Sequence, residues 1–227
     1  MWRAPLVEIF NSYQGEGIYL GQPMTFVRLA GCNLSCDYCD TGYARDARRY
    51  LWISGPELLR ELRKHPIHQI VSFTGGEPLL YPDFLVGVFT ALKRLKKKIY
   101  LETNGTQPES FRKVKRHLDI VAMDLKLPSA TGQSFFKTAE EFLRLALPKK
   151  IFVKIVLTPQ TEFSEIKKSV QIIRRVSRQI PLCFTPATSG NKFFDDWSKL
   201  NRLVNYAGRF LADVRLIPQV HKLIGCQ

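Results

Sequence analysis

No apolar run in the 227 residues approaches the roughly 18 that a membrane-spanning helix needs, so no such helix is expected. The first residues lack the charged-then-apolar order of a secretory leader. Cysteine is scarce and odd in number, at five, and three of the five are crowded together, so a disulfide framework is not expected. Acidic residues are outnumbered, 20 Asp and Glu against 34 Lys and Arg, for a net charge of +14. Long linkers, low-complexity runs and internal repeats are missing as well. With 45% apolar residues to fill a core, the expectation is one domain over residues 1–227.

What is there begins with Cys32, Cys36 and Cys39, separated by three and then two residues. A closed structural zinc site wants four ligands, and a cubane iron–sulfur cluster wants one per iron. Three thiolates leave one iron of a [4Fe–4S] cluster open to a small molecule, which is what reductive cleavage of S-adenosylmethionine requires. A zinc site completed by a distant His65, His68, His117 or His221 is the alternative. Cys183, in an apolar run, reads as a core thiol, and Cys226 as incidental. An oxygen-sensitive cluster places the protein in a reducing cytoplasm.

Short β-rich runs at residues 24–28, 70–73, 99–102, 120–124, 151–157, 182–185 and 214–217 alternate with amphipathic, helix-length stretches. Those stretches are 56–64, 83–95, 109–117, 135–146, 163–177 and 196–210. The alternation predicts an α/β fold with a parallel sheet and helices outside it. Six or seven strands are too few for a closed eight-stranded barrel, so an incomplete, TIM-like barrel is expected, with residues 6–10 as an extra strand. Unusual polar residues follow the strands: Arg28, then Thr74-Gly75-Gly76-Glu77, Glu102, Asp124-Leu125-Lys126, Thr185 and residues 218–222. In a parallel barrel these positions share one mouth. Gly75 and Gly76 allow a backbone approach that any side chain would block.

The cysteine motif and the glycine-rich motif resemble the radical S-adenosylmethionine superfamily. Gln14-Gly15-Glu16-Gly17, Cys39-Asp40-Thr41 and Pro218 through Lys222 narrow the resemblance to the 7-carboxy-7-deazaguanine synthases of the queuosine-precursor pathway. It covers most of the chain. It implies a partial barrel of the radical S-adenosylmethionine type, and ring contraction of 6-carboxy-5,6,7,8-tetrahydropterin to 7-carboxy-7-deazaguanine with loss of ammonia. The cofactors implied are a [4Fe–4S] cluster on Cys32, Cys36 and Cys39, S-adenosylmethionine, and Mg²⁺ with Thr41 as ligand. No side chain is implied to act as catalyst, because the radical forms on the cofactor. Tyr38, Cys39, Asp40, Gly76, Glu77, Glu102, Asp124, Leu125 and Lys126 are the implied cofactor contacts. Tyr13, Gln14, Gly15, Glu16, Arg28, Thr74 and Gln227 are the implied substrate contacts. For Arg28 an ordinary salt bridge is the alternative, and for Thr41 a turn cap. Many relatives have Gln where this chain has Thr185, which puts contacts of that loop in doubt.

The resemblance also implies a homodimer. The cluster needs an outside electron donor of flavodoxin or ferredoxin type, and an acidic one suits the positive charge. Residues 93–98 and 112–116 carry basic clusters that read as solvated helix ends. Arg45, Arg48 and Arg49, just after the cysteines, are the better docking candidates. Nucleic acid is not required. Two rival functions remain at this stage: a glycyl-radical activating enzyme, which needs an open groove for a protein loop, and a zinc-stabilised nucleic-acid-binding module.

Overall fold

A computed structural model describes residues 2–64, 66–189 and 192–225. The strands are β1 (Arg3–Tyr13), β2 (Pro23–Leu29), β3 (Trp52–Ser54), β4 (Ile70–Gly75), β5 (Lys98–Thr103), β6 (Ile120–Asp124), β7 (Lys150–Leu157), β8 (Leu182–Pro186), β9 (Thr188–Ser189), β10 (Lys192–Phe193) and β11 (Val214–Leu216). The α-helices are α1 (Gly55–Leu62), α2 (Pro82–Arg94), α3 (Pro108–Val114), α4 (Pro128–Thr131), α5 (Phe136–Ala146), α6 (Phe163–Val176), α7 (Trp197–Gly208) and α8 (Val220–Ile224). One nine-stranded sheet runs β11-β8-β7-β6-β5-β4-β2-β1-β3, and β9 pairs with β10 apart from it. Pairing from β2 through β11 is parallel, giving seven parallel strands. The edges β11 and β3 do not pair with each other, so the barrel is unclosed. The seventh parallel strand fulfils the upper of the two expected counts.

The run expected at residues 6–10 is longer than its apolar pattern shows, because β1 lies antiparallel along β2 and its far end carries β3. Two-residue and one-turn elements such as β9, β10, α4 and α8 are too short to leave a periodic signal. Helix starts follow local chemistry: Glu57 accepts from the Ser54 N–H at 2.5 Å and from its hydroxyl at 2.7 Å, a capping box at α1.

Side chains alternate along a strand, and this period-2 rule sorts the core into two layers. Val27, Leu29, Val71, Phe73, Ile99 and Leu101 face outward and pack with Phe84, Val88 and Phe89 of α2. The opposite phase faces the barrel axis, where Met24, Phe26, Ile70, Tyr100, Ile120, Phe152 and Cys183 form a separate apolar plug. Further along the same phase come Arg28, Thr74, Glu102, Asp124 and Lys154, which line a cavity. Strands β2, β4, β5 and β6 thus enter the barrel apolar and leave it polar, setting the cavity at the C-terminal mouth. No described helix is long and apolar enough to cross a membrane.

Candidate active site

The loop after β2 carries the three cysteines, and two glycines hold it against β4. Gly76 N–H donates to Leu29 O at 2.9 Å and Glu77 N–H to Gly31 O at 2.7 Å. A Cβ on Gly75 would sit 1.9 Å from Leu29 O, and one on Gly76 would sit 2.0 Å from Gly31 O. The close approach expected of these glycines is therefore backbone on backbone, between strand and cysteine loop. Gly75 also has φ +129°, a conformation side chains rarely adopt. Glu77, fully buried, fastens the next turn by accepting from Leu79 N–H (2.9 Å), Asn104 N–H (2.7 Å) and Thr103 Oγ1 (2.9 Å). Burial outweighs those hydrogen bonds and pushes its carboxyl up to about 7.

Cys32, Cys36 and Cys39 are free, half-buried thiols on the rim of one cavity of about 340 Å³. Burial raises the Cys32 thiol and pushes Cys36 up to about 11. Among the described residues, Glu16, Asp40 and His221 form the one set of three His, Cys, Asp or Glu whose ligand atoms all lie within 4.8 Å of one another. Cys32, Cys36 and Cys39 do not form such a set. Three separated thiols suit a multi-iron cluster, each sulfur reaching its own iron. Both carboxylates of the Glu16–Asp40–His221 set already face lysines, Lys154 and Lys222 respectively.

Opposite the cysteines lies a polar wall. Glu102 Oε1 accepts from Gln14 Nε2 at 3.0 Å and Ser72 Oγ at 3.2 Å, and its Oε2 accepts from Thr74 Oγ1 at 3.0 Å. Gln14 Oε1 in turn accepts from the Glu16 N–H at 3.1 Å. Asp124 Oδ2 pairs with Lys126 at 2.9 Å and Lys154 at 3.3 Å, while its buried Oδ1 has no protein partner among the described residues. Burial opposes the Asp124 charge, but Lys126 and Lys154 override it and hold the carboxyl below its usual range. Lys126 Nζ donates to Tyr38 OH at 3.2 Å and lies over its ring. Burial works against the Lys126 charge as well; Asp124, Tyr38 and Cys36 together outweigh it and raise it well above an ordinary lysine.

The cavity brings together most residues singled out in the sequence. Tyr38, Cys39, Asp40, Thr41 and Gly76 line it from the cysteine side. Tyr13, Gln14, Gly15, Glu16, Arg28 and Thr74 line it from β1, β2 and β4, and Glu102, Asp124 and Lys126 from β5 and β6. Glu77 and Leu125 stand behind the wall, Leu125 buried with its N–H donating to Lys154 O at 2.8 Å. Gln227 lies outside the described residues. Arg28 meets Glu8 through Nε at 2.7 Å and stacks over Phe10, so a salt bridge coexists with its cavity position. Thr41 Oγ1 lies 3.9 Å from Cys39 Sγ. Thr185 is buried, its hydroxyl without a partner among the described residues.

Sequence reasoning missed Lys154, which also lines the cavity; Gln219 and Lys222, expected at the mouth within residues 218–222, line it too. The signal for Lys154 was a lysine inside Ile151–Leu157, in phase with Phe152. Gln219 Nε2 bridges Glu16 Oε1 (2.6 Å) and Asp40 Oδ2 (2.9 Å), and its Oε1 accepts from Lys222 Nζ at 2.8 Å. Val220 N–H donates to Gly15 O at 3.0 Å, and a Cβ on Gly15 would meet His221 Nδ1 at 2.2 Å. The β1–β2 turn and α8 are therefore clasped together over one side of the mouth.

Comparison with known proteins agrees with this geometry. The family model for the radical SAM superfamily matches residues 27–173. A 7-carboxy-7-deazaguanine synthase from Geobacter sulfurreducens is 37% identical, over 98% of this chain and 97% of its own. The synthase of Methanothermobacter thermautotrophicus is 31% identical, over 99% and 98%. In fold the chain is similar to QueE from Escherichia coli, with a TM-score of 0.65 at 20% identity over 96% of this chain and 95% of that one. A domain of a pyruvate-formate lyase-activating enzyme from Bacteroides vulgatus is also similar, at a TM-score of 0.51 and 17% identity, over 64% of this chain and 97% of that domain. With the superfamily model spanning most of its barrel and relatives of more than 30% identity spanning nearly its whole length, the chain belongs to the radical SAM superfamily and, within it, to the 7-carboxy-7-deazaguanine synthase family.

Proposed function

We propose that this chain contracts 6-carboxy-5,6,7,8-tetrahydropterin to 7-carboxy-7-deazaguanine with loss of ammonia, in a reducing cytoplasm and as a homodimer. The observation that carries the reading is the clasp between the β1–β2 turn and α8. It walls the cavity as a small substrate needs, where an activating enzyme needs a groove open to a protein loop. When bound, the [4Fe–4S] cluster and S-adenosylmethionine together supply a 5′-deoxyadenosyl radical. Cys32, Cys36 and Cys39 hold the cluster. Tyr38, Asp40, Gly76, Asp124 and Lys126 wall the space beside it for S-adenosylmethionine, with Glu102 toward the ribose and Glu77 and Leu125 supporting from behind. Glu16 and Gln14 offer a fixed carboxylate and amide to the guanidine-like edge of the pterin, and Tyr13, Gly15 and Thr74 complete its bed. Arg28 offers its guanidinium to the substrate carboxylate. Thr41 would offer one oxygen to Mg²⁺, a hard cation that favours oxygen ligands.

The test is anaerobic incubation of the reconstituted protein with S-adenosylmethionine, dithionite, Mg²⁺ and the carboxylated tetrahydropterin, read by mass spectrometry. Release of 7-carboxy-7-deazaguanine is expected. Cleavage of S-adenosylmethionine with the pterin unconsumed would overturn the substrate assignment. One zinc per chain and no acid-labile sulfide would overturn the radical chemistry.

A further inference from the structure

Lys154 sits in the middle of β7 between Val153 and Ile155, both fully buried. A lone ammonium there would be costly, and the chain surrounds it with carboxylates. Its Nζ pairs with Glu16 Oε2 on the β1–β2 turn and with Asp124 Oδ2, 3.3 Å away at the end of β6. From Asp124 the contacts continue through Lys126, at 2.9 Å, to Tyr38 OH. From Glu16 they continue through the Gln219 amide to Asp40. The series therefore begins at Tyr38 and ends at Asp40, the two sequence neighbours of Cys39. Three cations (Lys126, Lys154 and, on Asp40, Lys222) balance three carboxylates along it.

A purely structural lysine would tie together two parts of the scaffold. Lys154 instead lines the cavity, and so do both of its partners. Glu16 belongs to the wall assigned to the pterin and Asp124 to the wall assigned to S-adenosylmethionine. We propose that Lys154 is a positioning residue that joins these two walls, so that a ligand seated on Glu16 bears on the loop around Cys39. The inference rests on the substrate reading given above. In its terms, Lys154 holds the Glu16 carboxylate in place for the pterin and makes cleavage of S-adenosylmethionine dependent on the pterin being bound.

The test compares Lys154→Met, which keeps the length and removes the charge, with Lys154→Arg, which keeps the charge. Both are prepared as reconstituted full-length enzyme. Four quantities are read: iron content, melting temperature, pterin affinity by calorimetry without reductant, and 5′-deoxyadenosine released per product formed. Lys154→Met is expected to keep its iron, to bind the pterin about tenfold or more weakly, the scale of one lost charge-assisted contact, and to release several-fold more 5′-deoxyadenosine per product. Lys154→Arg is expected to recover most of both. Wild-type pterin affinity and coupling in an iron-replete Lys154→Met protein would overturn the proposal. So would losses in both variants that merely track iron content and melting temperature, since these mark a scaffold role. A wild-type protein that fails to bind the pterin would overturn the substrate reading instead, and the two failures are told apart by that control.

Discussion

A methyl group added at Gly76 would enter the space of the Gly31 carbonyl, and one at Gly75 that of the Leu29 carbonyl. Neither neighbour is a flexible side chain that could step aside, so strand and cysteine loop must part. Gly76→Ala is expected to lower stability by about 3 kcal/mol or more and to leave the protein with well under its full iron complement after reconstitution. Gly87, on α2, is the control: a Cβ there meets nothing within 4 Å, and Ala should be neutral or stabilising by up to about 1 kcal/mol. Denaturant titration and iron analysis of both variants check the pair. Thr41 allows a more selective test. If its hydroxyl serves Mg²⁺, Thr41→Ala should weaken the stimulation of turnover by Mg²⁺ while S-adenosylmethionine cleavage persists. Equal loss of both would point to a damaged cysteine loop.

The turn that joins β4 to α2 depends on Glu77, and the pH dependence of stability follows from its burial. The folded protein holds the Glu77 proton harder than the unfolded chain does, with a pKa of about 7 against an ordinary 4.5. Its contribution to stability is therefore complete below the ordinary value and is lost as pH rises through about 7. The loss amounts to roughly 3 kcal/mol, at about 1.4 kcal/mol per unit. Denaturation of the iron-free protein between pH 5 and pH 8 should show this slope, and Glu77→Gln, which cannot ionise, should flatten it whatever its own offset. The same scale explains what the sequence made legible. Seven parallel strands and six long helices announce themselves because alternation and 3.6-residue periodicity are written over many residues. Parity within a strand was legible too, and following it from Phe152 would have placed Lys154 in the cavity with Asp124 and Glu102. The clasp made by Gln219 and Val220 was not, because hydrogen bonds between residues some two hundred apart leave no local pattern. The cysteines and glycines were read correctly as a pair of motifs. That one packs directly on the other is a fact of the fold.

Charge is distributed over the molecule in a way that separates two kinds of basic cluster. Lys93 pairs with Asp119 and Lys97 donates to Ile67 O at the start of β4 and β5, the end of the barrel away from the cavity. Arg112 pairs with Glu109 and Glu141, and Lys113 with Asp83. Arg45, by contrast, donates to Ser35 Oγ within the cysteine loop at 2.6 Å, and Arg48 and Arg49 share the single carboxylate of Asp46. Residues 45–49, beside the cluster loop, therefore carry three arginines against the one carboxylate of Asp46. Turnover driven by an acidic flavodoxin-like donor should fall as salt rises and the Debye length shortens below the about 8 Å of physiological ionic strength, while dithionite-driven turnover changes much less. Reversing Arg45, Arg48 and Arg49 to Glu should raise the apparent Michaelis constant for the protein donor alone. An unchanged constant and a flat salt profile would leave this surface without a role in reduction. The clasp has a consequence in time as well as in space. Gln219 is made more than two hundred residues after Gly15, so a nascent chain displays its cysteines long before its cavity has a closing wall. The wall on that side of the cavity exists only once synthesis has passed α8.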